Sequence, residues 1–338
     1  LLRNVCDLTR AQELSQRLLA CIRQPYTIDE KEVVVGGSLG LSLFPIHGDS
    51  VDALMSHSDI AMYAAKKGGK NLCQTFTQSM AAALKERTDL QADLEQAIAN
   101  DDLFFLYQPQ FSVESGELVG VEALIRWNHP QKGMIAPNDF IPIIEEIGFA
   151  TRITTMALNR SLAAIAILRE RFPDVHVAVN VSALDFVNLP LLMKRVDDAI
   201  KANQLPGSAL ELELTERIFL QHTKPAHRAI ETWKKAGIRV AIDDFGTGFS
   251  SLQYLLNLPV DTLKIDKSFV RSLRLNTRQC GIVKTILAMS NNLRAHCVAE
   301  GVETRAELQI LRDIGCHSYQ GYLSAEPMMM DEIIRQFG

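Results

Sequence analysis

The stretch Leu210-Glu211-Leu212-Glu213-Leu214-Thr215-Glu216 alternates a branched apolar residue with a carboxylate or hydroxyl. Side chains of a strand point to opposite faces in turn, so Leu210, Leu212 and Leu214 share one face while Glu211 and Glu213 share the other. The leucine face calls for a covering layer, and the acidic face calls for something that tolerates buried charge.

Working outward, the same sorting holds in other segments. In VAVNVS, Val177, Val179 and Val181 oppose Ala178 and Asn180; in VAIDD, Val240 and Ile242 oppose Ala241 and Asp243. In TLKIDK, Leu263 and Ile265 oppose Lys264 and Asp266, while Val298 and Glu300 share a face in CVAEGVE, as Glu122, Leu124 and Arg126 do in VEALIRW. Strands are expected near 103–111, 118–127, 175–181, 209–215, 238–243, 261–266, 296–300 and 317–322, with helical stretches between them after the first pair. Eight strands with intervening helices over about 240 residues fit an α/β class (β/α)8 TIM-like barrel, whose sites lie at the C-terminal ends of the strands. The short VESGEL turn makes the first strand pair antiparallel.

Upstream, residues 1–76 read as helix (9–23), strand (32–43), a PIHGD turn and helix (51–67), a partial α+β unit. Residues 77–100 form a polar connecting helix with a narrow stripe of Met80, Leu84, Leu90, Leu94 and Ile98, a surface for interdomain or dimer packing. The barrel is expected over 101–338. The chain opens on LLRNV without an initiating Met, which suggests a piece of a longer protein with an upstream sensor domain.

A net charge of -5 argues against a nucleic-acid polymer or an anionic membrane as partner. Six cysteines without any C-x-x-C pair suit reduced thiols in the cytoplasm, either of a soluble protein or of the cytoplasmic part of a membrane-anchored one. The most apolar long stretch, ALNRSLAAIAILRERF, contains Arg160 and Arg169 and reads as a buried amphipathic helix.

Five carboxylates (Glu122, Glu213, Asp243, Asp244 and Glu300) converging with only Lys264 leave four uncompensated negative charges. Two divalent cations would cancel them. An all-oxygen set with the amide of Asn180 and no Cys or His favours Mg²⁺ or Mn²⁺, and two such ions suit phosphate ester cleavage. Lys264 would hold or polarise the attacking water, and Gly246 and Gly248 would let the loop after the aspartates move.

GVEALIRW, VNVSA, LELTE, DDFGTGFSSL, LKIDKSFV, AEGVET and QGYL, in that order, resemble the EAL domain of cyclic di-GMP phosphodiesterases. The resemblance spans about residues 101–338 and implies hydrolysis of cyclic di-GMP to linear pGpG. It implies metal ligation by Glu122, Asn180, Glu213, Asp243, Asp244 and Glu300, and contact of Lys264 and Gln320 with the catalytic water. It places Gln108, Leu124, Arg126 and Asp266 among the substrate-binding positions, with Arg126 on phosphate, and makes Glu216 the tether of the DDFGTG loop. Asp266 equally suits a partner for Lys264 or a helix cap, and Glu211 and Glu303 suit surface positions or caps. Ser324 and Glu326 depart from the family pattern of an aromatic and a basic residue, which bears on nucleotide affinity. VVVGGSLGLSLFP and SDIAMYAAKKGGKN resemble the C-terminal half of a GGDEF (diguanylate cyclase) domain. The competing reading is a catalytically silent cyclic di-GMP receptor that regulates a partner, although the full polar set is present here.

Overall fold

The computed structural model describes residues 5, 7–216, 218, 223–246, 259–271, 273 and 277–337. Its contacts divide the chain into two compact units, Leu1–Gln96 and Ala97–Gly338.

In the first unit, α1 (Leu8–Ile22) begins where the Asp7 carboxylate accepts the Arg10 N–H at 2.7 Å, a side-chain cap for an otherwise orphaned donor. β1 (Tyr26–Ile28) and β2 (Lys31–Val33) form a hairpin, and β3 (Leu39–Leu41) pairs in parallel with β4 (Cys73–Thr75). Between them α2 (Val51–Lys67) starts at the Ser50 cap and ends on Lys66 and Lys67, the sign its dipole favours. The single strand expected over 32–43 is thus two short pieces. Gly36 and Gly37, which contribute no side chain to a sheet face, lie in the break.

α3 (Gln78–Asn100) contains the boundary between the units. Its apolar stripe ends in Leu94 and Ile98, both fully buried.

The second unit is a closed barrel. Its strands are β5 (Leu103–Ser112), β6 (Leu118–His129), β7 (Gly133–Ile135), β8 (His176–Val181), β9 (Leu210–Thr215), β10 (Arg239–Phe245), β11 (Thr262–Ile265), β12 (His296–Ala299) and β13 (Ser318–Tyr319). The order β5-β13-β12-β11-β10-β9-β8-β6 closes through β5–β6 pairing, and the short β7 hangs on the outer end of β6. β5 runs antiparallel to both β6 and β13, and the other barrel pairs are parallel. The α-helices among the described residues are α4 (Pro137–Glu146), α5 (Ala150–Arg169), α6 (Leu189–Ala202), α7 (Thr223–Lys235), α8 (Lys267–Val270), α9 (Thr277–Leu293), α10 (Arg305–Asp313) and α11 (Met330–Phe337). α10 opens with a reciprocal capping box between Thr304 and Glu307.

The apolar strand faces Val177/Val179, Leu210/Leu212/Leu214, Val240/Ile242 and Leu263/Ile265 are sealed from solvent. That burial stabilises the ring by roughly 1.5–3 kcal/mol per large side chain and commits the opposite, polar face of each strand to the barrel interior. No helix among the described residues is long and apolar enough to cross a membrane.

Candidate active site

Lys264, on β11, is 1% exposed and forms the centre of a carboxylate cage. Its Nζ lies 2.7 Å from Glu213 Oε1, 2.7 Å from Glu300 Oε1, 3.2 Å from Glu122 Oε2 and 3.2 Å from Asp243 Oδ1. Register explains the convergence: Gln108 on β5, Glu122 on β6 and Ala178 on β8 form one row across the sheet, and Asn180, Glu213 and Ala241 on β8–β10 form the next. Small alanines in these rows leave room for the acids. Around Glu122, Gln320 donates to Oε2 at 2.6 Å and Asn180 donates to Oε1 at 3.1 Å.

One ammonium does not balance this cage. Burial, reinforced by the charges of Glu122 and Asp243, pushes the Glu213 carboxyl well above its usual range. Burial with Asp243 and Glu122 nearby lifts Glu300 to about 8 despite Lys264, and burial with Asp243 beside it raises Asp244. Glu122 goes the other way: burial opposes its charge, but Lys264, Gln320 and Asn180 together outweigh it. Burial alone would depress Lys264, and the four carboxylates around it instead hold it well above the usual lysine range. For Glu213, Glu300 and Asp244 the protonated form is thus favoured over an uncompensated charge.

The pair Asp243-Asp244 reaches one face through a device that strict alternation does not contain. Ile242 pairs with Leu263 and Phe245 with Ile265, so two aspartates oppose the single residue Lys264. This is a β-bulge, and Asp244 takes its left-handed conformation at φ 52°, which aspartate tolerates better than most residues. Carboxylate oxygens of Asp243, Asp244 and Glu300 come within 4.8 Å of one another as a result.

Leu124 and Arg126 continue the Glu122 face of β6 and are both partly exposed. Arg126 donates to the Ile125 carbonyl at 2.9 Å, and burial lowers its pKa. Gln108 is buried and donates to the Ala325 carbonyl at 3.3 Å. Asp266 caps α8 by accepting the Ser268 N–H at 2.9 Å, so one of its oxygens is engaged away from the cage. Glu303 pairs with Arg271 on the surface. Glu216 is buried, and neither of its carboxylate oxygens has a hydrogen-bond partner among the described residues. The DDFGTG loop it was expected to tether lies outside the described residues from Thr247 onward, Gly248 included.

Gln110 was not anticipated: it donates to Gln320 Oε1 at 2.9 Å and so supports the amide that holds Glu122. Its signal was present, since Gln108 and Gln110 share a face in LYQPQFS. Gly321, at φ 157°, lets this segment run against the Val302 backbone, where a Cβ would come within 2.2 Å of the Val302 carbonyl oxygen.

A cation fits this donor set. The cage holds five carboxylates, an amide and no thiol or imidazole, and among the described residues the buried Glu213 carboxylate has only the Lys264 ammonium, 2.7 Å from Oε1, as a partner, with no hydrogen bond to Oε2. Unsatisfied buried carboxylates of this kind are what hard divalent ions complete.

Residues 91–327 match the EAL domain family and residues 1–72 match the diguanylate cyclase GGDEF domain. The bifunctional diguanylate cyclase/cyclic di-GMP phosphodiesterase MucR of Pseudomonas aeruginosa is 38% identical over 325 residues, 96% of this chain and 47% of its own length. The cyclic di-GMP phosphodiesterase PdeR of Escherichia coli is 34% identical over 319 residues, 94% of this chain and 48% of its own. The chain therefore spans about half the length of these curated relatives. A solved structure described as the PaMucR phosphodiesterase in complex with c-di-GMP superposes with a TM-score of 0.69 at 37% identity, covering 72% of this chain and 99% of that one. With a matched segment that takes in the whole carboxylate cage, this chain belongs to the EAL domain family.

Proposed function

We propose that the barrel hydrolyses one phosphodiester bond of cyclic di-GMP, giving linear pGpG, with two Mg²⁺ or Mn²⁺ ions per site. The observation that carries this reading is the cage of five acids around one buried lysine, on a chain whose relatives MucR and PdeR are named for cyclic di-GMP phosphodiesterase activity. Glu122, Asn180, Glu213, Asp243, Asp244 and Glu300 hold the ions. When bound, such ions neutralise the phosphate and activate water for in-line attack. Lys264 and Gln320 orient the water, Arg126 pairs with a substrate phosphate, and Gln108, Leu124 and Asp266 line the nucleotide path. The water oxygen adds to phosphorus, the P–O3′ bond breaks, and the departing 3′ oxygen takes a proton. Glu216 anchors the segment that follows the bulge.

In the same reading, residues 1–76 are the C-terminal part of a GGDEF domain, 77–100 a connecting helix and 101–338 the phosphodiesterase. The protein acts in the cytoplasm, or as the cytoplasmic part of a membrane-anchored protein, as a homodimer through the barrel or the connecting helix, beneath an upstream sensor. Incubation with cyclic di-GMP and Mg²⁺ or Mn²⁺, followed by chromatography, should yield pGpG. Retained nucleotide binding with no product under either ion would overturn the catalytic assignment.

A further inference from the structure

The end of the barrel opposite the acid cage carries a cavity of about 860 Å³. His176, Arg239, Thr262 and His296 open their strands and Glu211 is second in its own, whereas the cage residues on or just after these strands follow two to five positions later. The volume suits a small organic molecule.

The cavity floor is a polar chain. Arg239 Nη1 lies 2.9 Å from His176 Nδ1, and because a guanidinium only donates, His176 is the Nε2–H tautomer. That N–H faces Glu211 Oε1 at 3.6 Å, and Thr262 donates to Glu211 Oε2 at 2.6 Å. Glu211, expected as a surface acid or cap, is instead 1% exposed. The other acid near the strand ends, Asp261, is held by Lys234 Nζ at 2.8 Å and by the Val240 N–H at 3.1 Å. The lining acids that reach the floor are therefore engaged.

Arg239 is engaged only in part. It is half-buried, and among the described residues its one hydrogen-bond partner is the His176 ring; its charge helps to hold down Glu211, its register partner on β9, but the two form no ion pair. A partly desolvated guanidinium with free donors is stabilised most by an oxyanion that takes two of them at once. Phe111 and Phe172 supply apolar wall, and Arg171 adds a second positive charge at the lining, while Asp174 and Glu117 lie on its exposed side.

We propose that this basal cavity binds a small organic anion, a carboxylate or phosphate on a flat apolar body, with Arg239 as its anion ligand. The site lies at the other end of the barrel from the acid cage, with Gln110 in its lining reaching Gln320, and its occupancy does not depend on hydrolysis there.

The test titrates the whole chain with benzoate, phenyl phosphate and the cation benzamidine, following the ¹⁵N-imidazole resonances of His176 and His296. Saturable shifts with benzoate or phenyl phosphate, and none with benzamidine, are expected; whichever anion binds more tightly tells carboxylate from phosphate. Arg239→Gln should weaken binding by at least about tenfold. Absence of a saturable shift at these histidines up to about 10 mM of either anion, equal binding of benzamidine, or unchanged affinity in Arg239→Gln overturns the proposal. Should Arg239→Gln fail to fold, Arg239→Lys keeps the charge and loses the fork, and unchanged affinity there overturns it equally.

Discussion

Four carboxylates stand within 3.2 Å of Lys264 Nζ, so the residue serves as a placeholder for cationic charge as well as a candidate for positioning water. Lys264→Met should lower stability in chelator by about 3–5 kcal/mol, the range for breaking a buried ion pair. Thermal melts should show Mn²⁺ restoring most of that loss, while hydrolysis stays at least about 100-fold down. A variant as stable in chelator as the parent would argue against this role. Glu122→Ala and Asp243→Asn should each abolish pGpG formation. The pH response has a definite sign. Because Glu300 is raised to about 8 in the folded chain, the native state holds a proton that the unfolded chain releases above its ordinary value near 4.3. Stability in chelator should fall as pH rises through that window, and saturating Mg²⁺ should flatten the fall. Glu211 has the opposite sign. Burial opposes its charge, but His176 and Thr262 hold it down at about 2, so its contribution is present above the unfolded value and is lost as pH drops toward 2. Urea midpoints at pH 6 and pH 3 should differ less in Glu211→Gln than in the parent.

At the scale of elements, the bulge on β10 brings Asp244 beside Asp243 and Glu300, and in the proposed two-ion site it supplies the second aspartate. Asp244→Asn keeps a residue that accepts φ 52° and removes one charge, so calorimetry should show Mn²⁺ stoichiometry falling with the melting temperature nearly unchanged. Asp244→Val should lose about 1–2 kcal/mol more, since a β-branched residue resists that conformation. The bulge also marks where reading the chain alone runs out. Alternation correctly placed Glu122, Asn180, Glu213, Asp243 and Lys264 on inward faces, because each strand seals one apolar face against helices. It assumes one residue opposite one, and by that rule Asp244 would point away from its neighbour; the two-for-one register is set by the partner strand. Alternation also says nothing of height within the ring. Glu211 and Glu213 share a face of β9, yet Glu213 contacts Lys264 and Glu211 contacts Thr262 at the other end. In the first unit, the short run Val33–Val35 is followed by Gly36 and Gly37, and the strand expected over 32–43 breaks there.

At the scale of the molecule, the chain divides at Gln96/Ala97, within α3. Residues 97–338 expressed alone should unfold in one cooperative transition and hydrolyse cyclic di-GMP; a species lacking fixed tertiary signals in near-ultraviolet dichroism would show that the first unit is required. The cage itself spans the seam of the ring. The Gln320–Glu122 bond joins residues 198 positions apart, and Gln110 on the first barrel strand braces it from across the closure. A chain emerging from the ribosome therefore carries most of its acids long before it has the amide that orients Glu122. Under the proposed hydrolysis, a nascent chain that stops short of Gln320 should be inactive, and the onset of turnover during synthesis should report docking of the last strand.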